Sequence, residues 1–190
     1  MMKLEMLNLL REKVCGCKKC PDLVNSRIQT VFGEGNADAK LVFLGEAPGS
    51  TENQTGRPFV GRSGELLDIM MANIGLKRED VFILNVVKCH PEHNRNPFPA
   101  EVDNCMPFLD LQLKIIRPKI IVCLGAVAAK NLLKTSESLN KLRGLWYNHG
   151  NSKVRVTYHP AYLLRSPAEK TKAWDDFEAI KEGMKNELAQ

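Results

Sequence analysis

Nowhere does the chain hold an uninterrupted apolar run near the roughly 20 residues that a helix needs to cross a bilayer. It also lacks internal repeats, low-complexity stretches and any Gly/Ser-rich or Pro-rich linker, so no boundary between domains is marked. Cysteines are scarce: the six, at positions 15, 17, 20, 89, 105 and 123, are too few and too uneven for a secreted disulfide scaffold. The start, Met1-Met2-Lys3-Leu4-Glu5, includes an acidic residue and no small-residue cleavage site, which argues against a secretory signal. The expectation is a soluble, cytoplasmic protein with no membrane partner.

What the chain does have fits one folded domain. Its 190 residues, 44% of them hydrophobic, suffice for a real core. A charged fraction of 26% is ordinary for a globular chain and excludes wholesale disorder. The net charge of +5 permits an anionic partner such as nucleic acid without requiring one.

Apolar residues at 4, 6, 7, 10 and 14 predict a first helix over Leu4 to Val14, running into the turn Cys15-Gly16-Cys17-Lys18-Lys19-Cys20-Pro21. Four aliphatic runs follow, at 41–44, 81–87, 120–124 and 154–158, each ending at polar or Gly/Pro punctuation. Between and after them lie helical patterns over Glu65 to Ile74, Glu101 to Ile116, Ala126 to Leu133 and Ala168 to Leu188, with Ser63 placed to cap the first of these. Apolar strands alternating with helices imply an α/β protein with a parallel sheet covered on both faces. Ligands of such sheets bind beyond the carboxyl ends of the strands. That rule selects Gly45-Glu46-Ala47-Pro48-Gly49, Asn85 to Cys89, Gly125-Ala126 and His159-Pro160.

Cys17-x-x-Cys20 has the spacing of paired metal ligands, and the distant Cys89 and Cys105 can complete a four-thiolate site. All-sulfur ligation suits zinc or an iron–sulfur cluster. Spacing alone leaves the register open, because Cys15 and Cys20 can also pair, and a redox motif with buried Cys89 and Cys105 is the plainer alternative. Cys123, inside an apolar strand, reads as a core thiol.

Glycines flanking Glu46 let the chain turn sharply and approach a ligand, although a lone Gly-Glu more often caps a helix. Thr55-Gly56-Arg57-Pro58-Phe59-Val60-Gly61-Arg62 sets an aromatic among glycines and arginines. Phe59 is either core or a stacking plate for a flat ligand, with Arg57 and Arg62 on phosphate. Asn85 interrupts the run Ile83-Leu84-Asn85-Val86-Val87. A buried amide is costly unless matched, so it is locked to backbone or reads a ligand. His159 is a satisfied structural imidazole or a donor, and the Leu163-Leu164-Arg165 sequence is a helix start or a wedge with a phosphate anchor.

Jointly and in this order, Gly45 to Gly49, Thr55 to Gly61, Asn85-Val86-Val87-Lys88-Cys89, Asn94-Arg95, Leu124-Gly125-Ala126 and His159 to Arg165 resemble the family 4 uracil-DNA glycosylases, the iron–sulfur members of that superfamily. The resemblance runs from about Cys17 through the final helix. It implies a three-layer α/β/α fold around a four-stranded parallel sheet, one domain with an N-terminal cysteine-containing segment (about 1–35) packed on it. It implies a [4Fe–4S] cluster on Cys17, Cys20, Cys89 and Cys105, with zinc as the alternative, and leaves Cys15 outside. The implied partner is uracil-containing DNA, bound by a monomer that hydrolyses the N-glycosidic bond and leaves an abasic site. In that assignment Glu46 and His159 are catalytic. Gly45, Ala47, Glu52, Phe59 and Asn85 bind the base, with Glu52 crowding the thymine methyl. Arg57, Arg62, Lys88, Asn94 and Arg165 contact DNA, and Leu163 or Leu164 fills the gap left by the flipped base. Two other readings stay in play: the same fold acting on another deaminated base such as hypoxanthine, and a non-enzymatic nucleic-acid-binding metalloprotein.

Overall fold

Residues 2–188 are described by the computed structural model. Strands that are apolar at every position must be buried on both faces. The four runs become β2 (Leu41–Gly45), β3 (Phe82–Asn85), β4 (Ile120–Leu124) and β6 (Ser152–Thr157). They pair in parallel in the spatial order β3-β2-β4-β6. The sheet is wider than the four strands expected. Two antiparallel edges, β1 (Glu34–Gly35) beside β3 and β5 (Trp146–His149) beside β6, bring it to six. Both escape a hydrophobic pattern for a physical reason: β1 is two residues long, and β5 alternates exposed with half-buried residues.

Side chains alternate across the sheet. Leu41, Phe43, Ile83, Ile120 and Val122 face one side, under α4 (Arg62–Asn73), α8 (Pro160–Arg165) and α9 (Lys170–Leu188). Phe177 of α9 stacks on Phe43 there, ring centroids 5.8 Å apart. Val42, Leu44, Leu84, Ile121 and Val154 face the other side, under α1 (Lys3–Cys15), α5 (Pro99–Ile116) and α6 (Ala126–Leu133). Each fully buried side chain of this size contributes about 1.5–3 kcal/mol, so the doubly covered sheet is the chief source of stability.

Two short helices not anticipated from the pattern, α2 (Pro21–Ser26) and α3 (Ser50–Thr55), lie in the loops flanking β1 and β2, and α7 (Leu139–Leu142) follows α6. Ser63 does not cap α4: the helix starts at Arg62 with Gly61 as its N-cap, so Ser63 sits inside the first turn. The amides ahead of it are satisfied from α3, where the Glu52 carboxylate accepts from the N–H groups of Val60 and Gly61, both at 2.9 Å.

Register sets Gly45 beside Asn85 and Leu124 beside Thr157. The loops after all four parallel strands therefore leave one edge of the sheet. Because the chain steps from β2 to β3 on one side and β4 lies on the other, these loops diverge and open a crevice. Among the described residues no helix is long and apolar enough to cross a membrane.

Candidate active site

At that edge lies a cavity of about 550 Å³, walled by Glu46 to Gly49, α3, Phe59, Asn85, the 94–96 segment and His159. Its floor depends on a missing side chain. A Cβ at Gly45 would collide with Asn85 Oδ1 and with the Phe59 ring, so glycine lets amide and ring converge at the end of β2. Asn85 is 1% exposed, and its Oδ1 is buried without a hydrogen-bond partner. An acceptor left unmatched in this way costs about 1–3 kcal/mol. Such an expense is typical of a group kept free for a ligand.

Phe59 is held in a left-handed backbone (φ 51°) that a non-glycine residue adopts only under external restraint. Three contacts supply that restraint. Arg78 donates to the carbonyls of Pro58, at 3.0 Å, and of Phe59. Glu52 takes the two following amides. Gly64 leaves room for the Phe59 carbonyl, which any Cβ there would overlap. Arg78 is itself anchored by Asp68 at 2.7 Å and Glu34 at 3.0 Å.

The ring of His159 tilts against Phe59, centroids 5.5 Å apart. Its Nδ1 accepts from the Ala161 N–H at 3.1 Å, which leaves the proton on Nε2. Burial, and then the charge of Arg165, hold its pKa down to about 4 against a weaker opposing pull from Glu52. The imidazole is therefore neutral at pH 7 and presents an N–H. Gly125, at φ 92°, packs beneath it: a Cβ would stand 3.0 Å from His159 Cβ. Glu46 is half-buried, and burial raises its carboxyl above the ordinary glutamate value.

On the other side of the β3 exit, Cys17, Cys20, Cys89 and Cys105 line a second, small cavity. N–H groups point at three of the sulfurs: Arg27 at Cys89 (3.0 Å), the Lys88 amide at Cys105 (3.3 Å) and Asn104 at Cys20 (3.5 Å). Among the described residues no three His, Cys, Asp or Glu side chains are close enough to share one metal ion. Four thiols as the donor set fit zinc and an iron–sulfur cluster alike. Cys15 stands apart, exposed at the end of α1, and Cys123 is fully buried within β4, where burial pushes its thiol far up.

Residues 32–178 match the Uracil DNA glycosylase superfamily. The chain belongs to that family. Within it, the type-4 uracil-DNA glycosylase of Thermotoga maritima is 43% identical over 189 residues, covering 96% of this chain and 97% of the relative. The type-4 enzyme of Archaeoglobus fulgidus is 42% identical, covering 94% of each chain. That of Sulfurisphaera tokodaii is 43% identical, covering 94% of this chain and 85% of its own.

Of the site residues that the family resemblance implied, Glu46, Ala47, Glu52, Phe59, Asn85 and His159 line the one cavity, with Arg62, Asn94 and Arg165 on its walls. Two other assignments, Lys88 and Leu163, need correction. Lys88 cannot reach a phosphate, because it is 1% exposed and its Nζ is bound to the Asn85 carbonyl. Leu163 cannot fill a base stack, because it is fully buried under the sheet, whereas Leu164 is only half-buried. Arg57 lies outside the cavity lining, largely exposed and paired with Glu34 at 2.8 and 3.0 Å. Sequence reasoning also missed Tyr162, which is 38% exposed on the cavity wall with its ring against Tyr158 at 5.0 Å. Its place two residues before Leu164, on the outward turn of a helix starting at Pro160, was the available signal.

Proposed function

We propose that the protein removes uracil from DNA by hydrolysing its N-glycosidic bond, leaving an abasic site. The observation that carries this reading is the unpartnered Oδ1 of Asn85 at the floor of a cavity shared with Phe59 and a neutral His159. The similarity to the type-4 relatives supports the choice of substrate.

A base stacked in a duplex is out of reach of such a pocket, so the nucleotide must leave the stack. Phe59 then covers one face of the base. Asn85 Oδ1 accepts from uracil N3–H while its amide nitrogen donates to O4. Cytosine presents the reverse pattern, and each group left unmatched costs about 1–3 kcal/mol. His159 Nε2–H donates to O2, where negative charge gathers as the C1′–N1 bond lengthens, so it stabilises the transition state more than the bound substrate. Glu46, ionised, orients the water that attacks C1′, accepts its proton and favours the cationic sugar. Its raised pKa brings it nearer to a useful base. Uracil leaves as the anion and takes a proton from solvent. Glu52 walls the pocket on the side of the C5 position and at the same time pins the loop that carries Phe59. Arg62, Asn94 and Arg165 bind flanking phosphates.

Cys17, Cys20, Cys89 and Cys105 would hold a [4Fe–4S] cluster. When bound, it supplies a covalent tie between the N-terminal turn and the segment after β3, and no step of the hydrolysis passes through it.

The test is release of free uracil from an oligonucleotide with a single uracil, with matched thymine, cytosine and hypoxanthine substrates as controls. Release from the uracil strand alone is expected. No release, or faster release of hypoxanthine, overturns the reading.

A further inference from the structure

Lys88 has no part in the reaction above, yet it is one of the largest fully buried side chains in the molecule. Its Nζ donates to the Asn85 carbonyl at 2.5 Å, and that carbonyl is its one hydrogen-bond partner among the described residues. An ammonium withdrawn from water is strongly unfavourable unless an anion faces it. Among the described residues no carboxylate does: the ionisable groups that act on Lys88 are the thiols of Cys105 and Cys89. Its own backbone N–H points at the Cys105 sulfur, 3.3 Å away.

Neutral thiols give a buried cation little compensation. Thiolates ligating a metal centre give a great deal, since four of them outweigh the positive charge of a cluster core or of zinc. On the outer side of the same cavity Arg27 donates to Cys89 Sγ and, at 2.7 Å, to the Cys17 carbonyl. One cation thus stands outside the thiol set and one inside. The inner one spans three residues of backbone, from the metal-facing turn back to the end of β3.

We infer that the Lys88 ammonium is the buried counter-charge of the metal centre on Cys17, Cys20, Cys89 and Cys105, and that the same nitrogen braces the strand end from which Asn85 reads the base. The inference rests on reading those thiols as metal ligands. It makes the metal centre and the base pocket neighbours through one side chain, with charge on one flank and a hydrogen bond on the other.

The test compares anaerobically purified wild type, Lys88→Met and Lys88→Gln. Methionine follows the lysine side chain as far as Cε without its charge, and glutamine keeps an N–H donor. The readouts are iron and sulfide content, the midpoint potential of the chromophore, and the rate of iron loss to a chelator. Loss of the positive charge makes the potential more negative and speeds iron loss at least about tenfold, the scale set by one charge a few ångströms away in a protein interior. A folded Lys88→Met that takes up no iron supports the inference equally. Lys88→Met with wild-type potential and wild-type iron loss overturns it, and Lys88→Gln gives the same readouts should methionine prevent folding. If the wild type holds zinc, the release rate alone is read, with the same expectation. A wild type with neither metal refutes the ligand reading itself, whichever way uracil release turns out.

Discussion

His159 is a cavity residue whose protonation the structure constrains strongly, and His159→Gln tests that constraint. Its Nδ1 is occupied by the Ala161 N–H, and burial and Arg165 hold the folded-state pKa down to about 4 against an ordinary 6.5. Between those two values the unfolded chain binds a proton that the folded chain refuses. Stability must therefore fall as pH drops through 6.5, and the loss saturates near pH 4. With those two pKa values, moving from pH 7 to pH 5 removes at most about 2 kcal/mol, an upper bound because part of the ring faces the cavity. For a chain of this length that is a shift of roughly 4–8 °C in Tm. The assay is thermal unfolding of wild type and His159→Gln at both pH values. Glutamine does not titrate, and every other group cancels in the comparison, so the wild type should lose that much more Tm than the variant. Parallel losses would refute a buried neutral imidazole. The same constraint has a kinetic face: the excision rate of the wild type should show no ionisation near 6.5, and a rate that follows one would mean that His159 acts as imidazolium.

The acid limb of the excision profile should belong to Glu46. Its ionised form does the work, so the rate rises with pH through a pKa above 4.5, and Glu46→Gln should flatten that limb and slow single turnover about 10²- to 10⁴-fold; a limb that persists in the variant assigns it elsewhere. Asn85→Asp should slow uracil excision about 10- to 100-fold and relax the rejection of cytosine, whose amino group a carboxylate can receive. Wild-type uracil turnover in that variant removes Asn85 from the reading role. Tyr162→Ala should weaken excision from duplex DNA more than from single strands if the exposed ring on the cavity wall replaces a displaced base; equal losses on both substrates would argue for a general packing role.

One turn of chain after β3 joins the base cavity to the thiol set. Asn85 turns its amide to the cavity, Lys88 folds back onto the Asn85 carbonyl, Cys89 turns its sulfur to the thiol set, and His90 reaches across to the Pro48 carbonyl at 2.8 Å. Pro48 belongs to the loop that carries Glu46. The Ser26 hydroxyl donates to the His90 carbonyl at 3.1 Å, and Asn53 of α3 accepts from the Ile28 amide at 2.8 Å. The N-terminal segment is thus stitched to both the thiol turn and the helix that holds Phe59. A metal centre that tightens the thiols would tighten, by these same contacts, the loop presenting Glu46 and the strand end presenting Asn85. No electron need move for that coupling to matter.

How much of this was legible in the sequence depends on the range of the interaction involved. The four inner strands were readable because burial on both faces favours apolar runs, unbroken in Leu41 to Leu44 and Ile120 to Leu124 and interrupted by Lys153 and Arg155 in β6. The edge strands were not, because β1 owes its two residues to pairing with Phe82 and Ile83 rather than to its own composition. The carboxyl-edge rule located the cavity, and the glycines at 45 and 125 proved to be contact points where a Cβ would strike Asn85, Phe59 or His159. Charge misled where burial was hidden. Arg57, Arg78 and Lys88 look alike in sequence, as cations. Arg57 faces an acid across the sheet edge, Arg78 holds two backbone carbonyls, and Lys88 is sealed beside sulfur. A sequence records that a charge exists, but its role is set by the partner the fold brings to it. The partners of Arg57 and Arg78 lie at least 10 residues away along the chain, whereas Lys88 meets the Asn85 carbonyl three residues back and sulfurs at Cys89 and Cys105.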